Sequence, residues 1–375
     1  MKQRRWAGAS LAAATFGALS LTGTAATAAP GDRSGAYSTW TTDASGRPAS
    51  VGVAPGFPNA AITSDDPALT LTTEQLLDPS TPPGATYGPA TGQHLAFSPL
   101  AGAPTTTTLT FDSPTPDHGW SFILGDIDSE TLAIAATGPA GPLDPAQLGF
   151  SGAFGGSATW DAATGTLAAP TPDETNGSNA WFRPTAAITS LSITTTPLQG
   201  TPVAYLWLAA QTASLAGTVT DANGAPLADS TVTVTAADGS PLPGASLAPI
   251  TSDAAGAWET SLFPVPVLVS ATAPDGTVST PVPVTPEEDP TSSGNGFYVY
   301  PSVSVPTDWA PPVEPTPPVE PTPSASPSVV TPGAEPSRTL PVMGVETTVA
   351  VASAILLLLA GTASMLVARR RSTAG

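Results

Sequence analysis

Short runs of alternating hydrophobic and polar residues fill the middle of the chain, and a long apolar run lies near each end. Segments such as "STVTVTA" alternate strictly, and Gly, Asp, Asn and Pro interrupt them at short intervals. A period of two places successive side chains on opposite faces of a strand, and turn residues between such runs favour antiparallel pairing. No long stretch has the 3.6-residue period of an amphipathic helix. The pattern predicts an all-β protein.

The strand-like runs divide into two modules, each predicted to form a β-sandwich. Residues 34–212 contain "TTTTLTFDS", "GWSFILGDID" and "AYLWLAAQ", and residues 214–305 contain "SLAGTVT", "GAWETSLF" and "FYVYPSVSV". Lengths of roughly 180 and 90 residues are each enough to bury a core. We expect the larger module to form an N-terminal head and the smaller module to follow it in tandem.

The apolar run near the N-terminus has the three parts of a secretory signal peptide. Basic residues start the chain, the apolar run follows, and small residues then place Ala26 and Ala28 in an A-x-A pattern. A signal peptidase cleaves after such a pattern. The sequence therefore predicts a signal peptide over residues 1–28 and export of the remainder.

The second long apolar run has the length of a membrane-spanning helix. Residues 349–368 carry no charge, and a helix of about 20 residues spans roughly 30 Å, the thickness of a bilayer core. Arg369, Arg370 and Arg371 follow at once, and such positive residues stay on the cytoplasmic side. This predicts a transmembrane helix, a cytoplasmic tail over residues 369–375, and an extracellular location for everything before the helix.

A Pro-rich segment, residues 306–339, separates the smaller module from the region before the membrane run. It contains a perfect tandem repeat, "PVEPTP" at residues 312–317 and again at 318–323. Proline at this density fixes φ and removes hydrogen-bond donors, so the segment is predicted to be an extended stalk that forms neither helix nor sheet.

The order of motifs at the C-terminus resembles a known address signal. Leu340, Pro341, Val342, Met343 and Gly344 precede the apolar run and the arginine tail, and this order resembles the sorting signal of Gram-positive, actinobacterial-type surface proteins. The pattern of that family is L-P-x-T-G. The resemblance implies a sortase as partner and covalent attachment to cell-wall peptidoglycan.

One residue departs from that sorting pattern, because Met343 stands where the family has Thr. A site that hydrogen-bonds a hydroxyl rejects an analogue that lacks it. Two fates follow from the sequence. Either a sortase accepts methionine, or the apolar helix stays in the bilayer as a permanent anchor.

The smaller module also resembles a known group. Its phrase "AGTVTDANGAPLADSTVTVTAADG" is similar to the carboxypeptidase-regulatory-like and bacterial Ig-like repeats of surface stalks, with Gly217, Asp221, Gly224 and Trp258 where those families place them. The resemblance implies a β-sandwich spacer with no catalytic role.

The composition excludes several classes of function. The chain has no cysteine, which excludes disulfides and thioester adhesion, and its one lysine, Lys2, lies in the predicted signal peptide. A mature chain without lysine forms neither Lys–Asn isopeptide bonds nor a covalent pilus shaft. The net charge is −19, and the positive residues cluster at the two ends. Nucleic-acid binding needs a basic surface, so we expect no nucleic-acid partner.

Candidate chemistry in the head is sparse. In "GDIDSE", Asp126, Asp128 and Glu130 alternate, and on one face of a strand they are candidate oxygen ligands for Ca²⁺. Two carboxyl groups among them are also candidates for the acid and the base or nucleophile of a glycosidase. The motif lacks the glycine and the final glutamate of an EF-hand loop. The only histidines are His94 and His118, and His118 beside Gly119-Trp120 is a candidate lining residue. We expect no catalytic residue and no cofactor.

Taken in order, these features predict an exported, surface-anchored, non-enzymatic binding or adhesion protein that displays a β-sandwich head on a stalk. The expected location is the cell surface, held by the wall or by the membrane. The ligand of the head is an unidentified glycan or protein. Two alternatives remain, a wall-anchored polysaccharide hydrolase and a purely structural coat protein.

Overall fold

A computed structural model describes residues 34–99, 103–169, 177–289 and 297–309. The signal peptide, the sorting motif, the membrane run, the arginine tail and nearly all of the stalk lie outside these ranges. Within the described ranges no helix has the length and apolar character needed to cross a membrane. The predicted all-β class is confirmed, because almost every element is a strand and the sheets are largely antiparallel.

The bounds of the elements follow the chain order. The larger module contains β1 (Ser34–Tyr37), β2 (Thr39–Thr42), β3 (Pro48–Gly52), β4 (Ala60–Ser64), β5 (Thr70–Thr72), α1 (Pro82–Tyr87), β6 (His94–Phe97), β7 (Thr105–Phe111), β8 (Trp120–Ile127), β9 (Glu130–Gly138), β10 (Gly141–Pro142), a 3₁₀ turn (Pro145–Leu148), β11 (Phe150–Phe154), β12 (Thr159–Asp161), β13 (Thr166–Ala168), β14 (Ser178–Phe182) and β15 (Ser190–Pro197). Strand β16 (Ala204–Thr220) follows, and the smaller module contains β17 (Thr231–Ala236), β18 (Ile250–Thr251), β19 (Ala257–Leu262), β20 (Val267–Thr272), β21 (Val282–Val284), β22 (Glu287–Glu288), β23 (Tyr298–Val299) and β24 (Val303–Pro306).

Two sheets of the larger module enclose its core. The first sheet has the order β11-β14-β8-β16-β6-β5, and the second has the order β12-β13-β9-β15-β7-β4-β3-β2. Strand β9 pairs with β15 and alternates buried and exposed positions, and its residues Leu132, Ile134 and Ala136 point into the core. The inward residues of both sheets pack as one hydrophobic cluster, as the alternating sequence predicts.

The outer face of the first sheet is covered as well. Residues 73–93, which contain α1, pack over it, and we call them the covering segment. Leu77 and Tyr87 from this segment join Trp207 and Tyr205 in a second, smaller cluster. As a result the first ten residues of β16 are buried on both faces. Two-sided burial explains why "AYLWLAAQ" does not alternate.

Strand β16 is shared by both modules. Its first half pairs with β8, β6 and β1, and its second half pairs with β19 and, in parallel, with β24. The predicted division between residues 212 and 214 therefore falls inside one continuous strand. All described residues belong to one compact unit.

The smaller module has its own core and extends slightly beyond the predicted start of the stalk. Its four-stranded sheet, β18-β17-β20-β21, packs with β16, β19 and β24 around Trp258, Val269 and Val305. Thr307 is buried, and its backbone N–H donates to the carbonyl of Thr220 at 2.9 Å. The smaller module thus continues past residue 305, its predicted end.

Candidate functional site

The "GDIDSE" motif does not lie on a single strand. Strand β8 ends at Ile127, β9 begins at Glu130, and the chain passes from the first sheet to the second through Asp128-Ser129. The alternation that made the three acidic residues calcium candidates is therefore interrupted by a turn. The described residues contain no group of three His, Asp or Glu side chains placed to hold a metal ion.

Glu130 is the acid of this motif that the fold buries completely. Its Oε2 accepts from the Ser129 N–H at 3.2 Å, and its Oε1 has no partner. Burial, with a smaller contribution from Asp128, raises the pKa of Glu130 to about 8. At neutral pH the side chain is mostly an uncharged carboxylic acid, which is a poor ligand for calcium.

Asp126 is turned toward the outer face by a break in the strand pairing. The register between β8 and β14 shifts at this point, and Asp126 has a φ of 58°, in the left-handed region that Asp tolerates. Gly177 lies directly against the Asp126 side chain, where a Cβ would not fit. Burial, followed by Asp128 and Glu74, raises the pKa of Asp126 to about 6.

Glu74, from the covering segment, completes a polar patch that the sequence did not reveal. The Tyr205 hydroxyl donates to Glu74 Oε2 at 3.0 Å, and the His94 ring lies 4.8 Å from the Tyr205 ring and 4.3 Å from the Trp207 ring. We call Glu74, His94, Asp126, Tyr205 and Trp207 the acidic patch. Its charged groups are both carboxylates.

His94 is the neutral member of the acidic patch. The side chain is fully buried, and neither ring nitrogen has a well-formed hydrogen bond. Burial lowers the pKa of His94 to about 4, and a weak approach of the Gly92 backbone only partly opposes this effect. His94 is therefore an uncharged imidazole at neutral pH. Its ring meets the Tyr205 ring edge to face, and it is tilted by 31° relative to the Trp207 ring.

A separate cleft of about 440 Å³ opens where three strand ends of the first sheet meet. The segments that form it precede β8, precede and start β11, and follow β14. Its lining residues are Asp117, His118, Gly119, Trp120, Gly149, Phe150, Ser151, Arg183, Pro184 and Thr185. His118, singled out by the sequence as a lining residue, lies in this cleft, which we call the strand-end cleft.

His118 is held from two sides. Its Nδ1 is hydrogen-bonded to Asp117 Oδ1, and its ring lies 4.9 Å from the ring of Tyr298 in the smaller module. The backbone carbonyl of Tyr298 in turn accepts from Gln211 Nε2 at 3.1 Å. These contacts fix an exposed imidazole at the rim of the cleft.

Arg183 is one of the residues that line the strand-end cleft, and its side chain is hydrogen-bonded with the buried Tyr87 hydroxyl. Its guanidinium lies 5.5 Å from the centre of the half-buried Trp181 ring. Trp181 Nε1 donates to Ser121 Oγ at 2.8 Å, and the same oxygen is 2.7 Å from the Tyr87 hydroxyl. The network fixes the tryptophan ring, and the ring in turn supports the guanidinium.

The tryptophans of the larger module are mostly core residues. Trp40, Trp120 and Trp207 are buried, whereas Trp160 and Trp181 are half-buried. The remaining sites that the sequence predicts are Ala26 and Ala28, the sorting motif at residues 340–344, and the arginines at 369–371. All of these lie outside the described residues, so they stay predictions.

Comparison with known proteins identifies no family for this chain. No protein-family model and no curated protein matches the sequence. Among solved structures, BcpA, the major pilin subunit of Bacillus cereus, is 11% identical over 67% of this chain and 71% of that chain, with a TM-score of 0.20. A single-substitution variant of the same pilin is 10% identical, with the same coverage and a TM-score of 0.18. TM-scores this low establish no common fold or function.

Proposed function

We propose that this protein is exported, is anchored at the cell surface, and acts there as a non-enzymatic binding protein. The support for the location is the order of patterns along the sequence: a signal peptide, a two-module body, a Pro-rich stalk, a sorting-type motif and an apolar run with an arginine tail. The wall-attached and the membrane-embedded forms both display the same body outside the cell.

The observation that carries the binding role is the strand-end cleft. Its volume of about 440 Å³ falls within the range of small-ligand sites. Its lining combines apolar surface from Phe150 and Pro184 with hydroxyls from Ser151 and Thr185. Loops that are held by a rigid sheet are the usual place for recognition residues. The site thus offers shape, apolar surface and hydrogen-bonding groups together.

The same residues argue for binding rather than nucleophilic catalysis. Ser151 Oγ is oriented toward the Gly149 carbonyl at 3.3 Å, and its surroundings lack the G-x-S-x-G turn that exposes a nucleophile. His118 shares a hydrogen bond with its chain neighbour Asp117. This pair positions the imidazole at the rim and supplies a polar contact for a ligand.

The test is a binding screen with the full chain in detergent micelles, against a glycan array and a panel of matrix proteins. We expect a specific ligand, and a loss of affinity of about tenfold or more when His118→Ala or Tyr298→Ala removes the rim contact. Thr218→Ala, on an exposed position of β16 in the smaller module, is the matched control and should bind like the unaltered chain. No ligand on either panel, or full binding by both rim variants, would contradict the proposal.

A second candidate function, polysaccharide hydrolysis, is favoured by the acidic patch. Glycosidases place a protonated carboxyl group opposite an ionised carboxylate. Asp126, whose pKa burial raises to about 6, and Glu74, whose Oε2 accepts from the Tyr205 hydroxyl, are the two carboxyl groups that the fold brings together for these roles. Release of reducing ends from a polysaccharide panel, abolished in both Glu74→Gln and Asp126→Asn, would establish this alternative in place of the non-enzymatic one.

A further inference from the structure

The covering segment, residues 73–93, is a loop whose two ends lie side by side. It connects β5 to β6, and these strands pair with Thr72 directly opposite His94. The backbone pairing that the segment shows is internal, between Leu77 and Ala90. A loop with adjacent ends and internal pairing is a compact unit that can swing away while the sheet beneath it stays intact.

Side chains attach the covering segment to the outer face of the first sheet. Glu74 Oε2 accepts from the Tyr205 hydroxyl at 3.0 Å, and Gln75 Nε2 donates to Asn179 Oδ1 at 2.8 Å. Glu74 is exposed, so water competes for the first of these bonds. The deepest attachment is the buried Tyr87, whose hydroxyl bonds to a serine of the sheet. Opening of the segment thus breaks a small number of side-chain contacts.

Polar groups without a protein partner are concentrated beneath the covering segment. Both ring nitrogens of His94 and the Trp207 N–H are buried without a well-formed hydrogen bond, and so is Gln75 Oε1. They are four of the nine such side-chain atoms in the described ranges. Burial without a partner costs free energy, and water that enters on opening removes this cost. The carboxylates of Glu74 and Asp126 also repel each other across the same boundary. Both effects favour opening.

We propose that the covering segment opens as a lid and that the aromatic face beneath it binds a neutral saccharide. We call this face, made of the rings of His94, Tyr205 and Trp207 on β6 and β16, the ring platform. It shares no residue with the lining of the strand-end cleft. The inference therefore goes beyond the proposed function, because it assigns a second binding site.

The choice of a saccharide follows from the groups on the ring platform. Trp207 and Tyr205 offer aromatic surface to the C–H face of a sugar ring. The Trp207 N–H only donates, whereas the neutral imidazole of His94 donates at one nitrogen and accepts at the other. Sugar hydroxyls do both, so one sugar satisfies all of these groups. Asp126, within electrostatic reach of Tyr205, repels an acidic sugar and accepts from the hydroxyls of a neutral one.

The absence of cysteine from the chain allows the opening to be measured directly, because a thiol introduced by substitution is the only one. Ala96→Cys places it beneath the covering segment, and Ala180→Cys places it in the core between the two sheets. Both alanines are buried, and their strands are each second from an edge of the first sheet.

The measurement is the rate at which a water-soluble thiol reagent labels each variant, with the full chain in detergent micelles. We expect Ala96→Cys to be labelled about a hundredfold or more faster than Ala180→Cys, because opening of the segment exposes only the first thiol. Equal rates would overturn the lid.

Two adjacent leucines of the covering segment provide a matched pair of variants. Leu77 is buried with the ring platform, whereas Leu76 is exposed. In the Ala96→Cys chain, Leu77→Ala should raise the labelling rate by about thirtyfold or more, because loss of a buried leucine weakens the closed state. Leu76→Ala should leave the rate unchanged. A rate that Leu77→Ala does not raise would contradict the lid as well.

The saccharide is tested by calorimetric titration of the full chain with a panel of neutral oligosaccharides. The ring platform is presented only by the open form, so the apparent affinity rises in proportion to the open fraction while that fraction is small. We expect Leu77→Ala to raise the affinity for at least one saccharide by the same factor as the labelling rate. Leu76→Ala and His118→Ala should leave this affinity unchanged.

The outcomes separate this inference from the proposed function. If no neutral saccharide binds Leu77→Ala more tightly than the unaltered chain, the ligand assignment is wrong. If His118→Ala abolishes binding and Leu77→Ala does not alter it, the ligand occupies the strand-end cleft, which supports the proposed function and contradicts the second site. If Leu77→Ala strengthens binding and the rim variants of the cleft have no effect, the ring platform is supported and the role of the cleft is wrong.

Discussion

Phe57 and Phe263 lie 5.5 Å apart between ring centroids, and this contact joins the two modules of the protein. Phe57 belongs to the larger module, and its ring also packs on Trp120 at 5.4 Å. Phe263 follows β19 of the smaller module, yet it is buried in the hydrophobic cluster of the larger one. Its backbone N–H donates to the Pro55 carbonyl at 2.7 Å. The joint is therefore a shared core, not a flexible hinge.

We expect Phe263→Ala to destabilise the whole body. Truncation of a buried phenylalanine costs about 3–5 kcal/mol, and the cavity would open at the point where the modules meet. The measurement is thermal unfolding combined with hydrogen exchange, which should show faster opening of β7 in the larger module as well as β19 in the smaller one.

The matched control for this substitution is Phe263→Leu. Leucine retains most of the apolar contact with Phe57, and we expect a loss below about 1.5 kcal/mol. Faster exchange confined to the smaller module in the alanine variant would mean that the contact does not couple the two cores.

The fold was predictable where one face of a strand is exposed. Strand β17, "TVTVTA", alternates polar and apolar residues, and its first four positions are exposed and buried in turn, so its sequence alone identifies it as a strand. Strand β16 is different, because the covering segment, residues 73–93, lies on the face that would otherwise meet water. That covering segment has no periodic pattern of its own, and so neither it nor the continuity of β16 into the smaller module was visible in the sequence.

The candidate sites depend on contacts between distant parts of the chain, which a single sequence does not contain. Glu74 reaches Asp126 only because the covering segment folds over the first sheet. The turn at Asp128-Ser129 has neither Gly nor Pro, so the sequence of "GDIDSE" predicts one strand. His118 is distinctive in the sequence because the chain has only two histidines. Arg183 offered a similar signal, as one of the few positive residues between the two ends.

A buried acid should make the stability of this protein depend on pH. Glu130 titrates ordinarily near 4.5, and in the folded protein its pKa is about 8. Between these values the folded chain keeps a proton that the unfolded chain has lost, so a rise in pH favours unfolding. We expect the free energy of unfolding to fall by on the order of 3 kcal/mol from pH 5 to pH 8, measured by urea denaturation.

Glu130→Gln should remove most of this dependence, because glutamine is uncharged at every pH. A smaller decline should remain, since Asp126 also has a raised pKa. Glu287→Gln, at an exposed position, is the control and should keep the full decline. A Glu130→Gln variant whose stability falls with pH as steeply as that of the unaltered chain would contradict this assignment.

A glycine in β16 makes room for the last strand of the body. A Cβ at Gly217 would lie 2.1 Å from the Val303 carbonyl oxygen and 2.9 Å from Trp258 Cζ2. We expect Gly217→Ala to displace β24 and to destabilise the body by about 2–4 kcal/mol, because a backbone oxygen cannot move away without breaking its pairing. Gly92→Ala, at a position with nothing within 4 Å, should have little effect in the same denaturation experiment. Equal stability of the two variants would show that β24 yields easily.

The form of the anchor depends on the side chain at residue 343. A sortase site built for the threonine hydroxyl would keep an unpaired polar group when Met343 enters, and such sites discriminate strongly against analogues that lack the hydroxyl. We therefore expect most of the native protein to stay in the membrane fraction, held by residues 349–368, and Met343→Thr to move it to the wall fraction. The measurement is fractionation after muramidase digestion, with mass spectrometry of the C-terminal peptide.

Met343→Ala, which also lacks the hydroxyl, is the control and should stay in the membrane fraction. A native peptide that ends at Met343 and carries wall material would show that the sortase accepts methionine. The expectation that the helix stays in the bilayer as a permanent anchor would then be wrong.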